Sequence, residues 1–209
     1  MKRIFLIPLI CLPFLSFSQD LKIKEGRGGL FSIGLRSTAS TFNGDGENAS
    51  IGAGGHFRLQ LSNRINTEWY FDYLPATNQY TRRSDLHVGW SVMFYLLKNP
   101  TPKVQPYIVA AHCFDRTYHF ELANKSNNIV RGSSAVQAGA GTHFNLTPRF
   151  DISLTCQYMI HLGKDVHSHV DHGVVTFEAH KGGSLEGHLL TSLSLNYKIA
   201  DLWKSRRKK

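Results

Sequence analysis

The chain has 209 residues, a formal net charge of +9 and three cysteines. Cys11 sits in an apolar leader, so too few cysteines remain for a disulfide-stapled scaffold. Beyond the leader no run approaches the ~18 consecutive apolar residues of a spanning helix, and the sequence has neither an internal repeat nor a low-complexity tract.

The leader reads MKRIFLIPLICLPFLSFSQD. Lys2 and Arg3 make a charged start, Ile4 to Leu15 an apolar centre and Ser16-Phe17-Ser18 a small-x-small cleavage site. That is the layout of a secretory signal peptide over residues 1–18, cleaved before Gln19. A lipid anchor on Cys11 is disfavoured by the bulky Ile10 before it and by the apolar run that continues past it. Removing Lys2 and Arg3 takes the net charge from +9 to +7. Part of the remainder is the tail WKSRRKK, Trp203 to Lys209. An exported chain is not expected to meet nucleic acid, so the tail is read as solvated beside anionic headgroups or cell-wall polymer, or as an unstructured end without a partner.

From residue 28 the pattern has period two. GGLFSIGLRSTASTF sets Phe31, Ile33 and Leu35 against Ser32, Gly34 and Arg36. IGAGGHFRLQLS sets Ile51, Phe57, Leu59 and Leu61 against Gly52, Gly54, His56 and Arg58, and INTEWYFDY sets Trp69, Phe71 and Tyr73 against Glu68 and Asp72. LHVGWSVMFYLL alternates in the same way. VQPYIVAAHCF is ambiguous. The phase holding Val104, Ile108, Ala110 and Phe114 is the more apolar, at the cost of placing His112 there. SAVQAGAGTHFNL, FDISLTCQYMIH and HLLTSLSLNYKI complete eight segments. Such alternation predicts strands with two chemically different faces.

Three connections are tight, around Ser62-Asn63-Arg64, Asn99 to Pro102 and Thr147-Pro148-Arg149; four are longer, near 43–50, 74–85, 115–133 and 162–187. The two kinds alternate, as an up-and-down barrel with both termini at one end requires. A soluble sandwich or barrel is the competing fold, with the apolar face packed inside. Three features argue against it. The polar face is rich in glycine, which suits a crowded interior. It carries Arg36, Arg58, Glu68 and Asp72, both signs, as a lumen sealed by ion pairs needs. Phe31, Phe94, Phe144, Phe150 and Tyr197 all fall near the same strand ends, the placement of an interfacial aromatic girdle. The expected fold is therefore all-β: an eight-stranded antiparallel up-and-down transmembrane β-barrel. At that width side chains fill the interior, so no diffusion pore is expected.

The signal peptide, the eight strands, the alternating turns and loops and the last strand LTSLSLNYKI resemble the small outer-membrane β-barrel proteins, the eight-stranded domain of OmpA-like and OmpX-like proteins. The likeness is architectural and spans nearly the whole mature chain. Such chains often end on an aromatic residue of the last strand, whereas ten residues follow Ile199 here. The resemblance implies a monomeric barrel over 28–199, between a periplasmic segment at 19–27 and a basic periplasmic tail at 200–209. It further implies outer-membrane lipid as surroundings and an extracellular ligand or envelope protein as partner. The implied roles are adhesion, envelope integrity or secretion rather than enzymatic activity.

Cys113 and Cys156 fall on strands separated by one other, about 9–10 Å apart and on different faces, so two free thiols are expected. Lipid A-modifying hydrolases of this shape resemble one another in an H-x-S-N stretch; the nearest match is QLSN, Gln60 to Asn63, where Gln60 cannot act as a base. His56, His87 and His143 face the lumen in this phasing, with Glu68 and Asp72 placed to orient one of them. GAGG and GAG precede no helix and are strand glycines, not phosphate loops. HLGKDVHSHVDHGVVTFEAH holds five histidines between His161 and His180. If the strand phase continues through it, His167 and His169 share the lumenal face with His188 on the returning strand, a candidate site for a divalent transition metal. The alternative is a solvated, pH-responsive loop.

Overall fold

The computed structural model describes residues 28–42, 49–99, 102–163, 165–171, 173–180 and 187–203. The expected signal peptide, the segment at 19–27 and most of the basic tail lie outside these. Among the described residues ten strands follow one another: β1 (Leu30–Phe42), β2 (Ser50–Gln60), β3 (Ile65–Thr77), β4 (Thr81–Tyr95), β5 (Val104–Glu121), β6 (Asn128–Asn145), β7 (Phe150–His161), β8 (Asp165–Asp171), β9 (Val174–His180) and β10 (Gly187–Asp201). Eight of them close into an antiparallel barrel in the order β1-β10-β7-β6-β5-β4-β3-β2, while β8 and β9 pair only with each other. The first strand meets the last, Leu30 opposite Asp201, so both termini of the barrel leave at one end.

The alternation read from the sequence becomes an inside and an outside. Ile33, Phe71, Val88, Trp90, Ile108, Phe114, Leu154 and Leu193 are exposed on the outer surface, whereas Arg58 and Glu68 are 3 % and 5 % exposed within. β5 takes the expected phase: Ile108, Ala110 and Phe114 point out, and Tyr107, Val109, Ala111, Cys113 and Asp115 are buried. Water does not tolerate an apolar surface of this extent on a soluble monomer; a hydrocarbon surround does. At the end carrying the termini, Phe94, Phe144 and Phe150 are exposed, with Phe31 and Tyr197 partly so. The Phe150 and Tyr197 rings lie 4.8 Å apart, tilted by 41°, and Phe57 stacks on Trp69 at 5.0 Å.

Two turns at this end share one device. Leu61 and Ser62 both donate their backbone N–H to Ile65 O, and the Ser62 hydroxyl accepts from the N–H groups of Arg64 and Ile65. Thr147 repeats this with Phe150 and Arg149. A short hydroxyl side chain thus satisfies the turn amides that no ladder reaches.

The far end differs from expectation. Residues 74–85 and 115–133 were expected as loops, yet β3 and β4 run on to Thr77 and from Thr81, and β5 and β6 run to Glu121 and from Asn128. The barrel's last strand also continues two residues past 199. Beyond the apolar belt both strand faces meet polar surroundings, so apolar-polar alternation fades while the backbone ladder continues. The fourth connection is not plain loop either, because β8 and β9 form a hairpin within it. Its turn includes Gly173 at φ 83°, a left-handed conformation that glycine adopts without strain. The hairpin leans on the barrel mouth: Phe177 lies 4.9 Å from the His119 ring, Asn127 donates to Val175 O, and Val166 and Val175 are buried.

Candidate functional site

The interior has three levels. Nearest the termini, Arg36, Arg58, Glu68 and Asp72 form one buried ion-pair network. Arg58 stands opposite Glu68 in the β2–β3 register and donates from Nε to Oε2 at 2.6 Å. Arg36 donates to Glu68 Oε1 at 2.9 Å, lies 3.0 Å from Asp72 Oδ1 and caps the Tyr70 ring at 4.5 Å. Gly54 lies between Arg36 and Asp72 across three strands, and a Cβ there would fall 2.4 Å from Asp72 Oδ1. The missing side chain is what lets the guanidinium reach across.

The network extends to Asp151, which takes Arg58 Nη1 at 3.3 Å, Asn196 Nδ2 at 2.9 Å and Lys198 Nζ at 3.4 Å. Three cations face three carboxylates, which is how charge is kept in a low-dielectric space. Beside it a cavity of about 40 Å³ is lined by Asn66, Tyr95, His143, Asp151 and Lys198, room for a few waters. His56 is buried and bonds Asn196 at 3.2 Å; His143 bonds Ser153 at 2.6 Å.

Above this lies an apolar layer of Tyr70, Cys113, Ala135, Met159 and Leu190. Gln137 donates to both sulfurs, Cys113 Sγ and Met159 Sδ, at 3.3 Å. Cys113 and Cys156 are both free thiols, one buried and one exposed, as expected.

The third level, near the distal mouth, centres on Asp115. Its carboxylate takes Arg131, faces His87 Nε2 at 3.4 Å and faces His161 Nδ1 at 3.2 Å. His161 Nε2 is 3.3 Å from His188 Nε2, and Ser40 Oγ is 3.5 Å from His188 Nδ1. Higher still, Asp85 holds Arg83 at 2.9 Å and accepts from Thr117 at 2.6 Å.

Of the three histidines considered for a metal, His188 is buried among this group while His169 is exposed on the hairpin. The side chain of His167 lies outside the described residues. The lumenal phase of β7 does not carry into β8: the chain leaves the sheet after His161, and the hairpin face turned to the barrel holds Val166, Val175 and Phe177. Among the described residues no group of three His, Cys, Asp or Glu side chains is set to hold a metal ion. In QLSN, Gln60 donates to Ser62 O and Ser62 caps the turn. Sequence reasoning missed Asp85, Asp115 and Arg131, which fell in segments read as loops. The i, i+2 spacing of Arg83, Asp85 and His87 was the available signal.

No family profile and no curated protein matches the sequence. Solved structures do match in shape. OprG from Pseudomonas aeruginosa aligns at TM-score 0.56 and 11 % identity over 83 % of this chain and 97 % of that one. Neisserial surface protein A aligns at 0.55 and 11 % over 84 % and 99 %, and the Escherichia coli outer membrane protein W at 0.51 and 12 % over 82 % and 98 %. At such identities the likeness concerns fold alone. The chain therefore has the fold of the small eight-stranded outer-membrane β-barrels.

Proposed function

We propose that the protein is an integral outer-membrane barrel with a structural or surface-interaction role in the cell envelope and no open pore. The observation that carries this reading is the filled interior: an ion-pair network beneath an apolar layer of Tyr70, Cys113, Ala135, Met159 and Leu190. A conduit would need a continuous wet path, and an eight-stranded barrel leaves no width for one once side chains fill it. What the barrel offers is its distal end, where β3 to β6 run beyond the apolar belt and the β8–β9 hairpin leans on the rim at His119 and Asn127. That surface suits contact with an extracellular ligand or envelope protein. The role is not enzymatic on this reading, since Ser62 serves a turn.

Two measurements test the proposal together. In planar bilayers the purified protein gives no steady conductance, and deletion of its gene sensitises cells to detergent while their lipid A keeps its composition. Stepwise channel currents would remove the closed-barrel part; a changed lipid A pattern would replace the structural role by an enzymatic one.

A further inference from the structure

We propose that the facing imidazoles of His161 and His188 are a zinc-binding pair inside the distal mouth of the barrel, distinct from any use of the hairpin histidines. Their Nε2 atoms lie 3.3 Å apart. Two nitrogens held at about 2.0–2.1 Å by a tetrahedral zinc are themselves about 3.3–3.4 Å apart. A square-planar copper(II) or nickel(II) ion brings adjacent nitrogens to about 2.9 Å. The spacing matches the tetrahedral ion.

Each ring has a polar neighbour behind it. His161 Nδ1 lies 3.2 Å from the Asp115 carboxylate, close but not aligned as a hydrogen bond, and His188 Nδ1 is at a long 3.5 Å from the Ser40 hydroxyl. Metal-binding imidazoles give their other nitrogen to such partners, which fixes the tautomer and aims the free lone pair. With the proton of His161 on Nδ1 toward Asp115, its Nε2 presents a lone pair to His188. Without metal, the Nε2 proton of His188 makes a hydrogen bond to His161 Nε2; when zinc takes its place that proton moves to His188 Nδ1, toward the Ser40 hydroxyl, so both imidazoles stay neutral. Asp115 is itself anchored by Arg131 and His87, and both ligands sit on paired barrel strands, where Ile160 stands opposite Gly187. The pair is therefore rigid before any ion arrives.

Among the described residues two imidazoles face this point, which leaves two positions of a tetrahedral ion to other ligands such as water. A structural zinc has four protein ligands and a catalytic one three, so this geometry points to an exchangeable ion captured from the distal side. The apolar layer at Met159 and Leu190 forms the floor beneath it.

The test uses the full chain refolded in detergent micelles, stripped with chelator and titrated calorimetrically with zinc. One zinc per chain is expected. His161→Asn and His188→Asn each weaken it at least tenfold, Ser40→Ala weakens it by about tenfold, and His169→Ala leaves it unchanged. Zinc K-edge absorption on the unsubstituted protein needs no variant and should report two imidazole ligands, with oxygen completing the shell. Absence of binding overturns the proposal. So does binding that His161→Asn does not affect, that His169→Ala abolishes, or whose spectrum shows no imidazole pair.

Discussion

Arg58 and Glu68 face each other directly across β2 and β3 and join at 2.6 Å inside the barrel, each about one-twentieth exposed or less. Glu68 also takes Arg36, so one carboxylate serves two buried guanidinium groups. Glu68→Gln leaves both short of a counter-charge, and removing one partner of a buried pair costs about 3–5 kcal/mol. Urea unfolding in lipid vesicles should show that loss. Glu68→Gln combined with Arg58→Met should recover part of it; a strictly additive double variant would contradict the pairing.

The outward face makes the opposite demand. Leu193 is 55 % exposed on the outer surface, amid the apolar belt. Leu193→Arg should cost about 2–4 kcal/mol in vesicles, the penalty for a cation near the bilayer midplane. Thr176→Arg, on the exposed hairpin, should stay within about 0.5 kcal/mol. Equal effects in the two variants would mean that Leu193 does not meet hydrocarbon.

Two glycines of β6 separate close approach from mere presence. A Cβ on Gly139 would fall 2.0 Å from Cys156 O on β7, whereas one on Gly132 meets nothing within 4 Å. Gly139→Ala should therefore displace the strand and lower stability by about 1–3 kcal/mol, with Gly132→Ala neutral. Unfolding midpoints of the two variants give the comparison.

Cys113 and Cys156 lie on opposite faces of β5 and β7. Gel mobility without reductant should match mobility with it, and Cys113 and Cys156 should both react with a maleimide once the protein is denatured. A single reactive thiol, or none, would mean a modification or bridge that the fold does not provide.

The architecture was legible because a transmembrane strand must satisfy two media at once. Ile33, Trp69, Trp90 and Leu193 fall on one phase, and Arg36, Arg58, Glu68 and Asp72 on the other. Even β5, whose pattern is ambiguous, resolves correctly on its more apolar phase, with His112 half-buried on the outside. The signal vanished where the second medium changed. In RRSD both faces are polar, and in DRTYHF only Tyr118 and Phe120 mark an outward apolar phase, so segments that continue the ladder read as loops, and Asp85, Asp115 and Arg131 go unassigned. The histidines of the fourth connection are hard to place for a related reason. Period two says which residues share a face, but not which face a hairpin turns to the barrel once the chain has left the sheet. His188 belongs with His161, a partner one strand away that only the β7–β10 pairing reveals.

The direction in which the apolar side chains point can be read from tryptophan. Trp69 and Trp90 stand opposite each other on β3 and β4 and are 39 % and 49 % exposed on the outer face. In a Trp203→Phe background, reconstitution into phospholipid with brominated acyl chains should strongly quench their fluorescence while aqueous acrylamide has little effect. Emission indifferent to bromine yet quenched by acrylamide would contradict the account.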